Sequence, residues 1–193
     1  FGLILSIFRS SLLIAVLTLL FGLLYLSFGF YQNQRVQAEV YQIAMERNHA
    51  AERVFVKPSF GNLIVWRTVY LHENRFYVDA IRAGRELRKF NGGSVKRFNI
   101  NVESERLKIP ALQLYELRRF NWFTSNMLGV SKFYPDRVID VRYSMLPNGL
   151  DPIWYLEFNN DVQDDKHLTF NTVRGNSVEK LKKLLAMILG RFD

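Results

Sequence analysis

The chain has 193 residues and a formal net charge of +8, with 26 Lys and Arg against 18 Asp and Glu. Once an apolar segment is set aside, that length suits one packed domain with its own core. There is no cysteine, which excludes disulfides, thiolate zinc sites and a cysteine nucleophile, and fits a domain on the reducing side of a membrane.

Segment 10–30 carries no charged residue. A helix needs about 20 apolar residues to cross the hydrocarbon core, so a transmembrane segment is predicted over 1–31. Gly22 and Gly29 allow close approach of a neighbouring helix, and Tyr25 and Tyr31 sit toward the interface. No charged leader region and no small-residue cleavage site flank the run, so it does not read as a signal peptide. The chain opens on Phe1, and 1–7 is itself apolar. The expectation is a chain that begins within a longer protein carrying further membrane helices. Arg35, Arg47, Arg53 and Lys57 follow the span, against Arg9 alone before it. The positive-inside rule then places the soluble domain in the cytoplasm.

Helical spacing continues over 32–51, where Val36, Val40, Ile43 and Ala44 form one apolar stripe. No Gly or Pro interrupts the chain after Gly29, which predicts a stalk continuous with the membrane helix and ending at Asn48 and His49. Residues 52–193 are assigned to one soluble α+β domain. Its first strand covers 53–56, closed by Pro58, and strands 63–71 and 76–81 form a hairpin across His72-Glu73-Asn74. A basic loop is predicted over 84–95, around Asn91-Gly92-Gly93.

A helix follows over 107–126, with Pro110 in its first turn and Leu114, Leu117 and Trp122 toward its buried side. In strand 138–145, Ile139, Val141, Tyr143 and Met145 face one way, and Asp140, Arg142 and Ser144 the other. Pro147-Asn148-Gly149 is a turn, and strands 153–158 and 168–173 are joined by the acidic loop 159–166. Helix 177–189 closes the chain, capped by Ser177, with Val178, Leu181, Leu185 and Ile188 as its apolar stripe. Short connections predict a mainly antiparallel sheet with one or two helices covering a face.

Catalytic motifs are missing from the pattern. His49, His72 and His167 fall at a helix end, a turn and a strand edge, with no i, i+4 pair and no HExxH, and read as surface residues rather than metal ligands. There is no GxSxG elbow, Walker loop or GxGxxG fingerprint. Two polar groups remain. Asn62, Trp66, Arg67, Asp79, Asp140 and Arg142 lie on or beside the strands. They make either a polar groove for an anionic group or for neighbouring membrane helices, or cross-strand ion pairs on a solvated face, the favoured reading. An odd hairpin loop would put Asp79 on the side of Arg67. The second group, Arg82, Arg85, Arg88, Lys89, Lys96 and Arg97, is opposed only by Glu86. Contact with anionic lipid and a plain solvated loop account for it equally. Nucleic acid is disfavoured, because the nearby aromatics suit core strands better than a stacking platform.

Several blocks carry a family resemblance. They are Pro58, Asn62, Trp66 and Arg67 with Phe76-Tyr77-Val78; Arg119-Phe120-Asn121-Trp122-Phe123; Asp140-x-Arg142-Tyr143 leading into Leu146-Pro147; and Pro152-x-Trp154. In order and spacing the chain resembles the C-terminal part of the membrane-bound metal-dependent hydrolase family of bacterial inner-membrane proteins. The resemblance implies a multi-pass protein whose hydrolase chemistry, and any divalent metal, belongs to a His-Arg-x-x-Thr-His-Ser motif and acidic residues on earlier membrane helices. No position here matches that motif, so no catalytic residue and no cofactor is assigned to this chain. The expected role is an accessory domain, regulatory or substrate-orienting, partnered by the bilayer and the upstream helices. The alternative is a noncatalytic interaction or lipid-surface module on a membrane anchor.

Overall fold

The computed structural model describes residues 12–158, 167–173, 175 and 177–191. The connection predicted over 159–166 and the first eleven residues lie outside them. Helix α1 runs unbroken over Leu12–Glu46, joining the apolar run and the stalk in one element. Its end falls just before Asn48 and His49, as predicted. Asn48 turns left-handed (φ 56°), and the His49 amide donates to the Ala44 carbonyl at 2.8 Å, which closes the last turn. Among the described residues of the apolar stretch none is buried, and by length and composition the helix can cross a membrane.

The rest is α+β, built on two antiparallel four-stranded meanders rather than one sheet. The first contains β1 Glu52–Pro58, β2 Val65–His72, β3 Arg75–Ala83 and β4 Leu87–Lys96, in that order. The second contains β5 Leu128–Val130, β6 Arg137–Asp140, β7 Trp154–Glu157 and β8 Thr169–Thr172. The β2–β3 turn has two residues, Glu73 and Asn74, both with positive φ, the geometry that matches strand twist in tight hairpins.

Strand β4 occupies the stretch predicted as a basic loop. Its charges and glycines conceal the alternation, yet each has a place. A Cβ on Gly92 would come within 2.2 Å of the Val78 carbonyl oxygen, so only glycine fits beside the irregularity between Val78 and Asp79. Arg88 and Lys89 lie on an edge strand, where cations discourage edge-to-edge pairing.

The helix expected over 107–126 is present and starts after Pro110, and a shorter, unpredicted helix precedes it. Helix α2, Ile100–Leu107, is capped by the Asn99 side chain and closed by left-handed Lys108. Pro110 then starts α3, Ala111–Phe123, where a proline disrupts continuation but suits initiation. Leu117 is buried as expected, but Trp122 points outward. Strand β6 ends five residues short of its predicted limit. The Asp140 carboxylate accepts from the Arg142 amide at 3.0 Å, and this local bond turns the chain out of the sheet. Helix α4 spans Ser177–Leu189, but it buries Leu184 and Met187, leaving Val178, Leu181 and Leu185 exposed.

Alternation along the strands sorts the core into layers. Trp66, Tyr70, Ile81 and Ala83 of the first sheet pack on Val36, Val40, Ile43 and Ala44 of α1. The opposite face, with Val69, Leu71, Phe76 and Val78, meets Ile139, Val141 and Tyr155 of the second sheet. The outer face of the second sheet packs Val138 and Leu156 on Leu117 and Phe120 of α3. Helix α4 covers the remaining inner face of the first sheet, where Met187 meets Val65 and Ala80. At about 1.5–3 kcal/mol for each large buried side chain, the stalk is a core element and no mere tether.

Candidate functional site

The six candidate groove residues do not form one groove. The two-residue turn pairs Arg67 with Ala80 and Thr68 with Asp79, so Arg67 and Asp79 occupy opposite faces of the sheet. Nor is either face solvated: Arg67, Asp79, Asp140 and Arg142 are all buried. Asn62 is a turn residue, its side-chain oxygen accepting from the amides of Ile64 and Val65. Trp66 faces α1, and its indole donates to the Leu63 carbonyl at 2.9 Å.

Asp79 is held from α1. Arg47 donates to both its carboxylate oxygens, at 2.7 and 3.0 Å, and to the Tyr70 hydroxyl at 3.2 Å. The Gly92 amide adds a bond to Asp79 at 3.1 Å. The carboxylate raises the Arg47 pKa further above its ordinary value, against the opposing effect of burial. Sequence reasoning missed Arg47 as a partner, although the signal was there: it continues the spacing of Val36, Val40 and Ile43. Next to it, the His49 ring stacks on His72, with centroids 4.3 Å apart, and its Nδ1 lies 2.8 Å from the Tyr70 hydroxyl. Burial, followed by His72 and Arg47, lowers the His49 pKa.

On the other face, Arg67 reaches into the connection after β6. It donates to the carbonyls of Val141 at 2.8 Å, Pro147 at 2.8 Å and Gly149 at 2.9 Å. Burial lowers its pKa to about 10, partly offset by Asp140, so it stays charged at neutral pH. Arg142 donates to Asp140 at 2.8 Å and to the Phe123 carbonyl at 2.9 Å. The Trp154 indole, a partner not foreseen, reaches the same carboxylate at 3.1 Å.

Arg67 and Arg142 do line one cavity of about 560 Å³, between the β1–β2 turn, the β6–β7 connection and α4. Its walls are mainly apolar, with Lys57 over the Tyr143 ring at 3.7 Å. The histidines do not line it. Among the described residues no three His, Cys, Asp or Glu side chains converge to hold a metal ion. The cavity can therefore take an apolar group with an anionic end, but it offers no paired nucleophile and base.

The six candidate lipid contacts separate to the two ends of the β3–β4 hairpin. Arg82, Arg85 and Arg88 lie at the turn end, where Arg35 of α1 also donates to the carbonyls of Gly84 at 3.0 Å and Arg85 at 3.1 Å. This proximal end is the one nearest the apolar half of α1: Phe28 and Gln32 share a hollow with Arg82 and Arg85. Lys89 lies 3.9 Å from Glu46. Lys96 and Arg97 belong to the far end, about 26 Å along the strand from Arg88. There Lys96 pairs with Glu103 at 3.1 Å and Arg97 bridges Gly129. No family model, curated protein or solved structure matches the chain.

Proposed function

We propose that this chain is a noncatalytic, membrane-anchored accessory domain of a bacterial inner-membrane protein. In this reading α1 crosses the bilayer, and the two-sheet body stands on its cytoplasmic side. The observation that carries it is the dual use of α1. Its apolar half is wholly unburied, while Val36, Val40, Ile43 and Ala44 of the same helix complete the core of the first sheet. Any movement of the helix in the membrane is thus transmitted to the body without a hinge. That is the mechanical property a regulatory or substrate-orienting domain needs.

The resemblance to the membrane-bound metal-dependent hydrolases supplies the partner: further membrane helices, which hold the catalytic motif and its metal. Exposed Leu17, Leu20, Phe21 and Leu24 offer those helices an apolar surface, and Gly22 has open space beside it. A Gly22→Cys variant of the full-length protein, its thiol carrying a photoactivatable cross-linker, can be cross-linked in native membranes, and this chain contributes no competing cysteine. Cross-links to upstream helices of the same protein are expected. Labelling by lipid-phase probes with no cross-link would remove the accessory-domain reading.

A further inference from the structure

Helix α4 keeps an apolar flank uncovered. Val178, Leu181, Leu185 and Leu189 are about half exposed or more, although Leu184 and Met187 of the same helix are buried. Phe60, at the tip of the β1–β2 turn, is 93% exposed. We propose that α4 is a second membrane contact, lying in the headgroup layer beside the point where α1 enters the bilayer, with this flank and Phe60 in the acyl boundary. The inference rests on the reading above that α1 crosses a bilayer.

Position argues for it first. The C-terminal end of α4 is fixed to the proximal end of β3, where Arg82 donates to the Ile188 carbonyl at 3.1 Å and lies against Gly190. Arg82 also lines the hollow that contains Phe28 of α1, so this end of α4 sits level with the exit of the apolar run. The other end borders the β1–β2 turn, where Leu181 and Leu184 share the cavity wall with Pro58, Ser59 and Phe60. That turn is proximal too, because Leu63 packs on Gly29, 3.5 Å from where a Cβ would stand. Helix α4 therefore crosses the strands of the first sheet at the end nearest the bilayer.

Orientation argues for it next. The flank opposite the exposed leucines carries Lys180, whose ammonium lies 3.5 Å from Asp151. Asp151 follows Leu150, which packs on Gly93, well along β4 from the proximal turn. Lys180 shares the sheet-facing side with Leu184 and Met187, so the leucine flank faces away from the sheet, and Leu181 on it borders Phe60 of the proximal turn. Charge agrees: Arg35, Arg82, Arg85 and Arg88 ring the same end, suited to anionic headgroups at the rim of an inserted apolar strip.

The absence of cysteine permits single-cysteine variants of the whole chain. Leu185→Cys, Lys183→Cys and Leu20→Cys, each carrying a polarity-sensitive fluorophore, would be reconstituted in vesicles of phosphatidylcholine and phosphatidylglycerol. Residues 183 and 185 are both solvent-facing, so neither label disturbs the core. The label at 185 should be blue-shifted, and quenched by a lipid nitroxide placed near the headgroups roughly twofold more than the label at 183. The label at 20 should respond to a nitroxide near the chain ends. If 20 is deep while 185 is as wet as 183, α4 is not a membrane contact and the anchor reading stands. If 20 is wet, both fail. If 185 is blue-shifted but unquenched, a protein covers the flank and the lipid assignment is overturned.

Discussion

The first sheet has a guanidinium on each face, half-buried at Arg47 and buried at Arg67, and the two are held differently. On the α1 face, Arg47 meets a carboxylate that is itself only 2% exposed, and the pair is completed by Tyr70 and an amide. On the face toward the second sheet, Arg67 donates mainly to main-chain carbonyls, with Asp140 acting on it only at longer range. The first arrangement fastens one helix to one strand by charge. The second shapes a loop: a single side chain satisfies carbonyls at 141, 147 and 149 that would otherwise be buried without partners.

Removing each cation tests that contrast. Arg67→Met keeps the apolar stem but leaves the carbonyls unpaired. It should lower unfolding free energy by about 3–4 kcal/mol in denaturant titration, and should loosen the 141–149 connection in hydrogen exchange before the rest. A loss below about 1 kcal/mol would mean that the loop shapes itself. Arg47→Leu should cost about 2–3 kcal/mol, because it leaves the Asp79 charge buried with one amide. The double variant Arg47→Leu with Asp79→Asn should recover part of that loss, whereas no second change on the strand rescues Arg67→Met. Equal rescue at both sites would erase the distinction between paired and carbonyl-held charge.

What the sequence made legible follows the same division. Periodicity finds the stalk, the β2–β3 hairpin and the bounds of α4, because their apolar spacing has a single reading. It misplaces β4, whose glycines answer the Val78 carbonyl, and it misassigns the buried face of α4, where the apolar arc is wider than the sheet it meets. The polar cluster was visible as residue types but not as an assembly. Whether Asp79 joins Arg67 depends on one residue of turn length. Arg67 itself was flagged, but carbonyl partners leave no mark in a sequence, since every residue has a carbonyl.

Smaller effects sharpen the picture at the edges of both networks. Trp154→Phe removes one donor from Asp140 but leaves Arg142 in place, and should cost about 1–1.5 kcal/mol. A larger loss would show that the indole, and not the arginine, holds the carboxylate.

The weakest expected effect lies beside Arg47. Tyr70 accepts from Arg47, and the same hydroxyl lies 2.8 Å from Nδ1 of His49, so this imidazole sits beside a guanidinium-bound group. Burial, then His72 and Arg47, hold the His49 pKa below the ordinary value of about 6.5. A histidine with a depressed folded pKa binds its proton more readily when unfolded, so stability is fully present above about pH 6.5 and declines as pH falls through the folded pKa. His49→Gln should flatten that acid-side decline while leaving stability at pH 8 nearly unchanged. An identical pH profile in the variant would show that His49 does not couple protonation to the Arg47–Tyr70 contact, and that the stalk is fastened to the sheet independently of acidity in this range.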